Sequence, residues 1–430
     1  MMKCMKRWIL AILCILPLVP AQAQFERYFK PQTLCIRYLH SGDFNRQSYR
    51  LESFVSHWGV WAGPTQHLID PFSYGRQKVE VRDAATDSLL YSCSFNTLFD
   101  EYRTTEKGRA GKRKSFRECV RIPRPIVPVK ICFYSRNAQF KYEKQWEVQF
   151  EPGRTKVKNE LIIKPRIMAL HVVAEPAKAY DILLVPEGYA VSDSAKWRKD
   201  AERCAEAILN CSPFKENAYR INIRALYAYS KESGVSRDGT GKRRKKTLLG
   251  ASFYTLGTER YLMVEDMWRL DKVCSETPCD HALVICNTKK YGGGGIYNFH
   301  STVTDNRYFN YVCVHELGHG IAGLADEYYT SDVAVQDYYP QGTEPPAPNI
   351  TSLVNFDAKW RDMLDPEVPV PTPAEKKYED VLGVFEGAGY CAKGLYRPRK
   401  SCTMKDIKYD YFCPVCQRAF QRMFDFCCDK

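Results

Sequence analysis

Between residues 30 and 165 apolar and polar positions alternate in short runs: Leu34-Cys35-Ile36-Arg37-Tyr38, Lys78-Val79-Glu80-Val81-Arg82, Val129-Lys130-Ile131-Cys132-Phe133 and Gln145-Trp146-Glu147-Val148-Gln149-Phe150. A period of two predicts β-strands that bury one face. Ala84-Ala85-Thr86-Asp87 reads as a hairpin connection. Several such strands with no helical period between them predict a β-sandwich. After a boundary near residues 164–166 the pattern changes. Ile182-Leu183-Leu184-Val185 is a continuous apolar run suited to a buried strand. Trp197, Ala201, Cys204, Ala205, Ile208 and Leu209 then fall on one face of a helix starting near Ser194. Residues 221–229 read as strand, 259–272 as helix and 282–286 as strand. This alternation predicts an α/β layer, and roughly 260 residues suffice to bury a core of its own.

The chemistry is concentrated in HELGHGIAGLADE, residues 315–327. Positions four apart share a helix face, so His315 and His319 can aim ring nitrogens at one cation while Glu316 leans over the same place. Zinc suits such a pair, with an open position left for water, and Glu316 would take that water's proton. Leu317, Ile321 and Leu324 keep a helical apolar spacing, as in a buried active-site helix. Gly323 can adopt positive φ and turn the chain back, which brings Asp326 toward the metal as third ligand. Glu327 is the alternative third ligand, or an acceptor behind one histidine. The bland reading, two histidines that only hydrogen-bond in a core, leaves the glycine and the following acids without a purpose.

At this point the chain resembles the metzincin-like zinc peptidases, whose pattern is two histidines, a glycine turn and a third His or Asp. Three residues rather than two separate His319 from Gly323, a departure that looks like the IgA-peptidase family of bacterial secreted metalloendopeptidases. Other segments are similar to that family: VPEGY at 185–189, YGGGGIYNF at 291–299, EGAGY at 386–390, YRP at 396–398 and CTMKD at 402–406. The resemblance covers most of the chain from about residue 170. It implies a metzincin-like catalytic domain, a zinc cofactor, and a protein or glycoprotein substrate such as IgA. It implies further that Met404 forms a methionine turn beneath the zinc. The Gly293, Gly294 and Gly295 run would lie on an edge strand that admits extended substrate or moves. Tyr297 is then a candidate to hydrogen-bond near the scissile carbonyl. The proline-rich stretch 339–373 is expected to line the cleft as an ordered loop. A last helix opens at Pro414, with Val415, Ala419, Phe420, Met423 and Phe424 on one side.

Composition and the chain's first residues set the compartment. Lys3, Lys6 and Arg7 precede an apolar stretch from Trp8 to Val19 and a small-x-small site at Ala21-Gln22-Ala23, the form of a secretory signal. The stretch is too short for a membrane span. The mature protein is therefore expected in the periplasm, on the cell surface or outside the cell, as a monomer. Eighteen cysteines, less Cys4 and Cys14 of the leader, leave an even number where disulfides persist. Pairs close in sequence are Cys204 with Cys211, Cys274 with Cys279 and Cys391 with Cys402. Cys413-Pro414-Val415-Cys416 has no second such pair and reads as structural. A formal charge of +13 does not argue for nucleic acid in an exported chain. The basic runs at 107–114 and 242–246 sit beside glycines, as solvated loops do.

The expected organisation is α+β with two domains: a signal peptide over 1–23, a β-sandwich accessory domain over 24–166 and a metzincin-like α/β zinc-peptidase domain over 167–430. The competing class is a non-catalytic surface protein that binds glycan or protein and carries a vestigial zinc site. Glu316 distinguishes the two, because a relic that only binds metal has no need of a base.

Overall fold

The computed structural model describes residues 21–159, 167–237, 244–329, 339–340, 342–409 and 411–428. The leader's apolar stretch, the expected boundary at 164–166 and the first residues of the 242–246 basic run lie outside them. In the first half of the chain, α1 (Ala21–Tyr28) leads into β1 (Phe29–Gly42), β2 (Gln47–Val60), β3 (Gln77–Asp83) and β4 (Leu89–Phe95). Two short helices, α2 (Leu98–Tyr102) and α3 (Glu106–Arg109), precede β5 (Lys114–Pro125), β6 (Val129–Arg136), β7 (Tyr142–Phe150) and β8 (Val157–Asn159). The strands form two four-stranded sheets, ordered β5-β1-β2-β8 and β4-β3-β6-β7.

The alternation read from sequence explains how these sheets meet. Leu34, Ile36 and Tyr38 of β1 join Val79 and Val81 of β3 and Ile131 and Phe133 of β6 in one buried cluster. Cys35, on the other face of β1, joins Val55 and Cys119 in a cluster shared with the second half of the chain. The first sheet is thus covered on both faces. The hairpin at 84–87 forms between β3 and β4, where the Asp83 carboxylate accepts from the backbone N–H of Ala85 and Thr86 at 3.0 and 2.8 Å.

The second half contains β9 (Ile167–His171), β10 (Tyr180–Glu187), α4 (Ser194–Asn210), β11 (Ile221–Leu226), α5 (Met267–Cys274), β12 (His281–Cys286), β13 (Gly293–Ile296) and β14 (His300–Thr304). Then follow α6 (Phe309–Ala322), the hairpin β15 (Phe385–Ala388) and β16 (Cys391–Arg397), and α7 (Pro414–Cys427). Six of these strands make one sheet, β13-β14-β12-β10-β11-β9. Its four central strands run parallel and both edges run antiparallel. Central strands buried on two faces must be apolar throughout, which is the run Ile182–Val185. Ile182 and Leu184 face Trp197 of α4, Leu317 of α6 and Phe424 of α7, whereas Leu183 and Val185 face Met267 and Leu270 of α5 together with Cys35 and Val55 of the first sheet.

A buried ionic knot fixes the two halves to each other. The Asp271 carboxylate on α5 is fully buried, with Arg37, His57 and Arg121 of the first sheet at 2.8, 3.1 and 3.1 Å. The helix that carries Asp271 is shorter than the apolar pattern over 259–272 suggests. It begins only at Met267, where Asp266 caps it by accepting from the Arg269 N–H. The backbone just before is drawn into β-bridges instead, Tyr261 to Gly293 and Met263 to Ser252. Likewise the strand expected over 221–229 ends at Leu226.

Candidate metal centre

Helix α6 is apolar on nearly every side because it is packed on nearly every side, and it delivers two histidines to a cleft. Gly323 ends it at φ +62°, and the Leu324 N–H returns to the Gly318 carbonyl at 3.1 Å. The chain then doubles back and three donor atoms converge. His315 Nε2 and His319 Nε2 are 3.2 Å apart, and Asp326 Oδ1 lies 3.2 and 3.3 Å from them. A tetrahedral ion with ligands at about 2.0 Å has ligand–ligand edges of about 3.3 Å. The triangle therefore has the size of one face of such a site. Asp326 Oδ1 is buried and makes no hydrogen bond, as a ligand atom awaiting a cation should be.

Each donor is aimed by a partner behind it. His315 Nδ1 lies 3.0 Å from the Thr403 carbonyl, and His319 Nδ1 lies 2.7 Å from that of Leu324. Those contacts hold a proton on each Nδ1 and leave each Nε2 as the atom that faces Asp326 and would meet a cation. Tyr311, one turn before His315, donates to the same Thr403 carbonyl at 2.8 Å. Tyr390 donates its hydroxyl to Asp326 Oδ2. The backbone around Asp326 is clamped by Asn349 at Ala325, by the Gly389 N–H at the Asp326 carbonyl and by Met404 at Glu327.

The electrostatics call for positive charge at the centre of the triangle. Burial opposes charging His319, yet Asp326 outweighs it and lifts the imidazole to about 9. Burial likewise opposes ionising Asp326, and the two rings overcome it and hold the carboxyl well below its usual range. Burial raises Glu316 above the ordinary carboxylate value, which suits a base.

The centre opens into a cleft of about 610 Å³. Edge strand β13 forms one border, and its glycines are there for close packing. A Cβ on Gly293 would come within 3.2 Å of Glu316 Oε1, one on Gly295 within 2.4 Å of the Glu316 carbonyl, and one on Gly294 within 2.5 Å of Met263 Sδ. The opposite border includes Tyr339, Pro346 and Ala347 from the proline-rich loop, as expected. The first half of the chain also reaches the cleft through Tyr74, Arg76, Asn96 and Glu101. Glu101 accepts from the Tyr261 hydroxyl, and burial raises its carboxyl to about 7.

Two comparisons with known proteins bear on this arrangement. The family model described as IgA Peptidase M64 matches residues 168–381 and 374–424, and the one described as Peptidase M64 N-terminus matches 24–147. The chain belongs to the IgA peptidase M64 family. That is a family of metallopeptidases, so the substrate is protein. No curated protein matches the chain. The two M64 models leave residues 148–167 between them unmatched.

Other residues singled out in this M64 sequence take different places. Met404 is fully buried under α6, where a Cβ on Gly318 would lie 2.7 Å from its sulfur. Glu327 points away from the histidines. It is fully buried, accepts from Asn349 Nδ2 at 3.0 Å and lies 3.4 Å from Cys416 Sγ, so geometry leaves Asp326 as the acid beside the histidines. Tyr297 is buried and borders the cleft with its ring edge-on to Tyr74, and its carbonyl accepts from the Asn96 N–H at 3.0 Å. Among the described residues no disulfide is formed. Cys204 meets Cys313, at 3.6 Å, rather than Cys211, and Cys402 meets Cys413 and Cys416 rather than Cys391. Cys274 and Cys279 line one cavity and are both free thiols. Tyr311 has no role legible in the sequence, although it sits four positions before His315 on the same helix face, and Tyr390 stands out there only as the end of EGAGY.

Proposed function

We propose that this M64 metallopeptidase is an exported zinc endopeptidase. His315, His319 and Asp326 hold the ion and Glu316 is the general base. The converging triangle of donor atoms, with the unpartnered Asp326 Oδ1 at its apex, carries the reading. When bound, zinc supplies Lewis-acid chemistry, polarising the scissile carbonyl and acidifying water. The chain's own residues do the rest. Glu316 accepts a proton at its carboxylate and returns it to the leaving amine. Tyr390 holds Asp326, and Thr403 and Leu324 hold the imidazoles, so that the ligands keep one orientation through turnover.

The fold reading follows the same lines. The four parallel strands with an antiparallel edge above α6, the Gly323 turn and Met404 beneath the helix support a metzincin-like catalytic domain over 167–430. The two sheets sharing one core support a β-sandwich over 24–166, and its Tyr74, Arg76, Asn96 and Glu101 make it a wall of the cleft. An extended substrate would lie along β13, past Gly293, Gly294 and Gly295. Aromatic grooves suit proline-rich extended peptides, and Tyr74, Tyr261, Tyr291, Tyr328 and Tyr329 line this one. Together with the family's name, that favours IgA or another extracellular glycoprotein with a proline-rich hinge. The leader motif supports export to the periplasm, the surface or the medium, and a monomer is the form assigned to the mature protein. No helix among the described residues is long and apolar enough to cross a membrane.

The deciding experiment is fragment mapping by mass spectrometry after incubation with IgA and with a mixed protein digest. Cleavage abolished by a chelator and restored by zinc supports the reading. Retained glycan or protein binding with no cleavage of any substrate would transfer it to the non-catalytic class.

A further inference from the structure

Behind the histidine centre lies a second cluster of metal-binding side chains. Cys402, Cys413, Cys416 and Glu327 are all fully buried. Cys416 Sγ lies 3.5 Å from Cys413 Sγ, 3.9 Å from Cys402 Sγ and 3.4 Å from Glu327 Oε1, and the four donor atoms lie within 4.8 Å of one another. We propose that these four residues bind a second thiophilic divalent cation, zinc, in a closed structural site.

The distances suit an ion better than covalent sulfur chemistry. Zinc–sulfur bonds of about 2.3 Å imply sulfur–sulfur edges of about 3.8 Å in a tetrahedron, close to those observed. A disulfide needs its sulfurs at about 2.05 Å and could join only two of the three, leaving one thiol unused. One sulfur is also supplied with a backbone donor. The Cys413 N–H points at Cys402 Sγ at 3.3 Å. A backbone donor directed at a sulfur favours its thiolate, and Cys413 stands at the N-cap position, at the positive end of the 14-residue α7.

Glu327 provides the independent observation. Its Oε2 is buried without a hydrogen-bond partner, and its Oε1 faces a sulfur. A carboxylate in that setting is unfavourable unless a cation compensates it. A divalent ion held between the three sulfurs and this carboxylate would give the buried Oε2 and its neighbours a common partner. The pattern escapes a sequence search because one Cys-x-x-Cys pair is completed by Cys402 and a glutamate, not by a second pair.

Four protein ligands leave no open position, so the site is structural rather than catalytic. It would act as a staple under the active centre. Glu327 adjoins Asp326, and Cys402 adjoins Thr403, whose carbonyl orients His315. The ion would thereby fix both the third ligand and the carbonyl behind the first.

The test uses the full chain bearing His315→Ala and His319→Ala, purified without chelator, so that only the second site can load. Metal analysis is expected to find about one equivalent of zinc per chain. Cobalt exchange should produce an intense thiolate-to-cobalt charge-transfer band in the near ultraviolet. Adding Cys413→Ser and Cys416→Ser should remove both signals; should that variant not fold, alkylation of the His variant should label Cys402, Cys413 and Cys416 only after chelation. A His variant free of metal and of the band, with two of the three thiols recovered as a disulfide, would overturn the proposal. Because the His variant lacks the catalytic ligands, neither result depends on the peptidase reading.

Discussion

Gly295 lies against the carbonyl oxygen of Glu316 so closely that a Cβ there would come within 2.4 Å of it, and within 2.9 Å of His319 Cβ. The edge strand thus touches the backbone of the metal helix between its functional side chains. Gly295→Ala should push strand and helix apart, costing about 1–3 kcal/mol in stability. It should lower turnover by roughly 100-fold, since displacements near 1 Å have that effect on catalysis. Unfolding curves and kcat/KM measured together check this. An alanine variant with unchanged activity would show that the close contact is not required.

Adjacent acids should separate cleanly in metal affinity. Asp326→Ala should lose the binding step that His315→Ala also abolishes, as read by chelator competition. Tyr390→Phe should weaken that step about 10- to 100-fold, because it removes only the group that orients Asp326. Glu327→Gln should keep the step, weakened by no more than about 10-fold, because it alters the cluster behind the centre and not the donors themselves. Loss of the step in Glu327→Gln with retention in Asp326→Ala would reverse the assignment.

Two histidines make the fold acid-sensitive independently of the metal. Burial pushes His281 and His300 down to about 3, below the value near 6.5 of an unfolded chain. Between those limits the unfolded state binds more protons, so stability is fully present above about pH 6.5 and falls as pH drops toward 3. The limiting slope is about 1.4 kcal/mol per pH unit for each ring. Neither nitrogen of His300 has a hydrogen-bond partner, so His300→Phe should flatten the profile. Thermal unfolding of chelated protein from pH 7 to pH 4 provides the measurement, and parallel profiles for both proteins would refute it.

The ionic knot at Asp271 should hold the two halves together. Burial opposes ionising Asp271, but His57, Arg121 and Arg37 hold its carboxyl well below the usual range. Asp271→Asn leaves the Arg37 and Arg121 guanidiniums facing a neutral group, and removing one partner of a buried pair costs about 3–5 kcal/mol. Denaturant unfolding should show that loss, with earlier exposure of the first half to protease. A change under about 1 kcal/mol would mean that apolar packing alone joins the halves.

The sequence was most informative where a short period sufficed. Alternation at Leu34–Tyr38 and Val79–Val81 marked the strands, and the four-residue spacing of His315 and His319 marked the centre. Gly323 marked the turn that returns Asp326. What the sequence could not show depends on long-range placement. Asp326 and Glu327 are neighbours in a chain that has left its helix, and they point to different sites. Nothing local to Glu101 or Tyr74 indicates that the first half reaches the cleft. Cys204 meets Cys313 109 positions away, beyond any argument from spacing. The glycine run reads as mobility or room for substrate, and spacing alone does not show that Cβ atoms there would also meet α6, Met263 and Tyr261.

The central claim is that Glu316 moves the proton in a zinc-dependent peptide hydrolysis. The most direct measurement compares wild type with Glu316→Gln, both loaded with zinc to the same stoichiometry, on a broad peptide library and on IgA, with fragments identified by mass. The account predicts equal metal content, equal thermal stability and a turnover at least about 100- to 10,000-fold lower in the variant at every cleaved bond. Undiminished cleavage by a folded, zinc-loaded Glu316→Gln would contradict it.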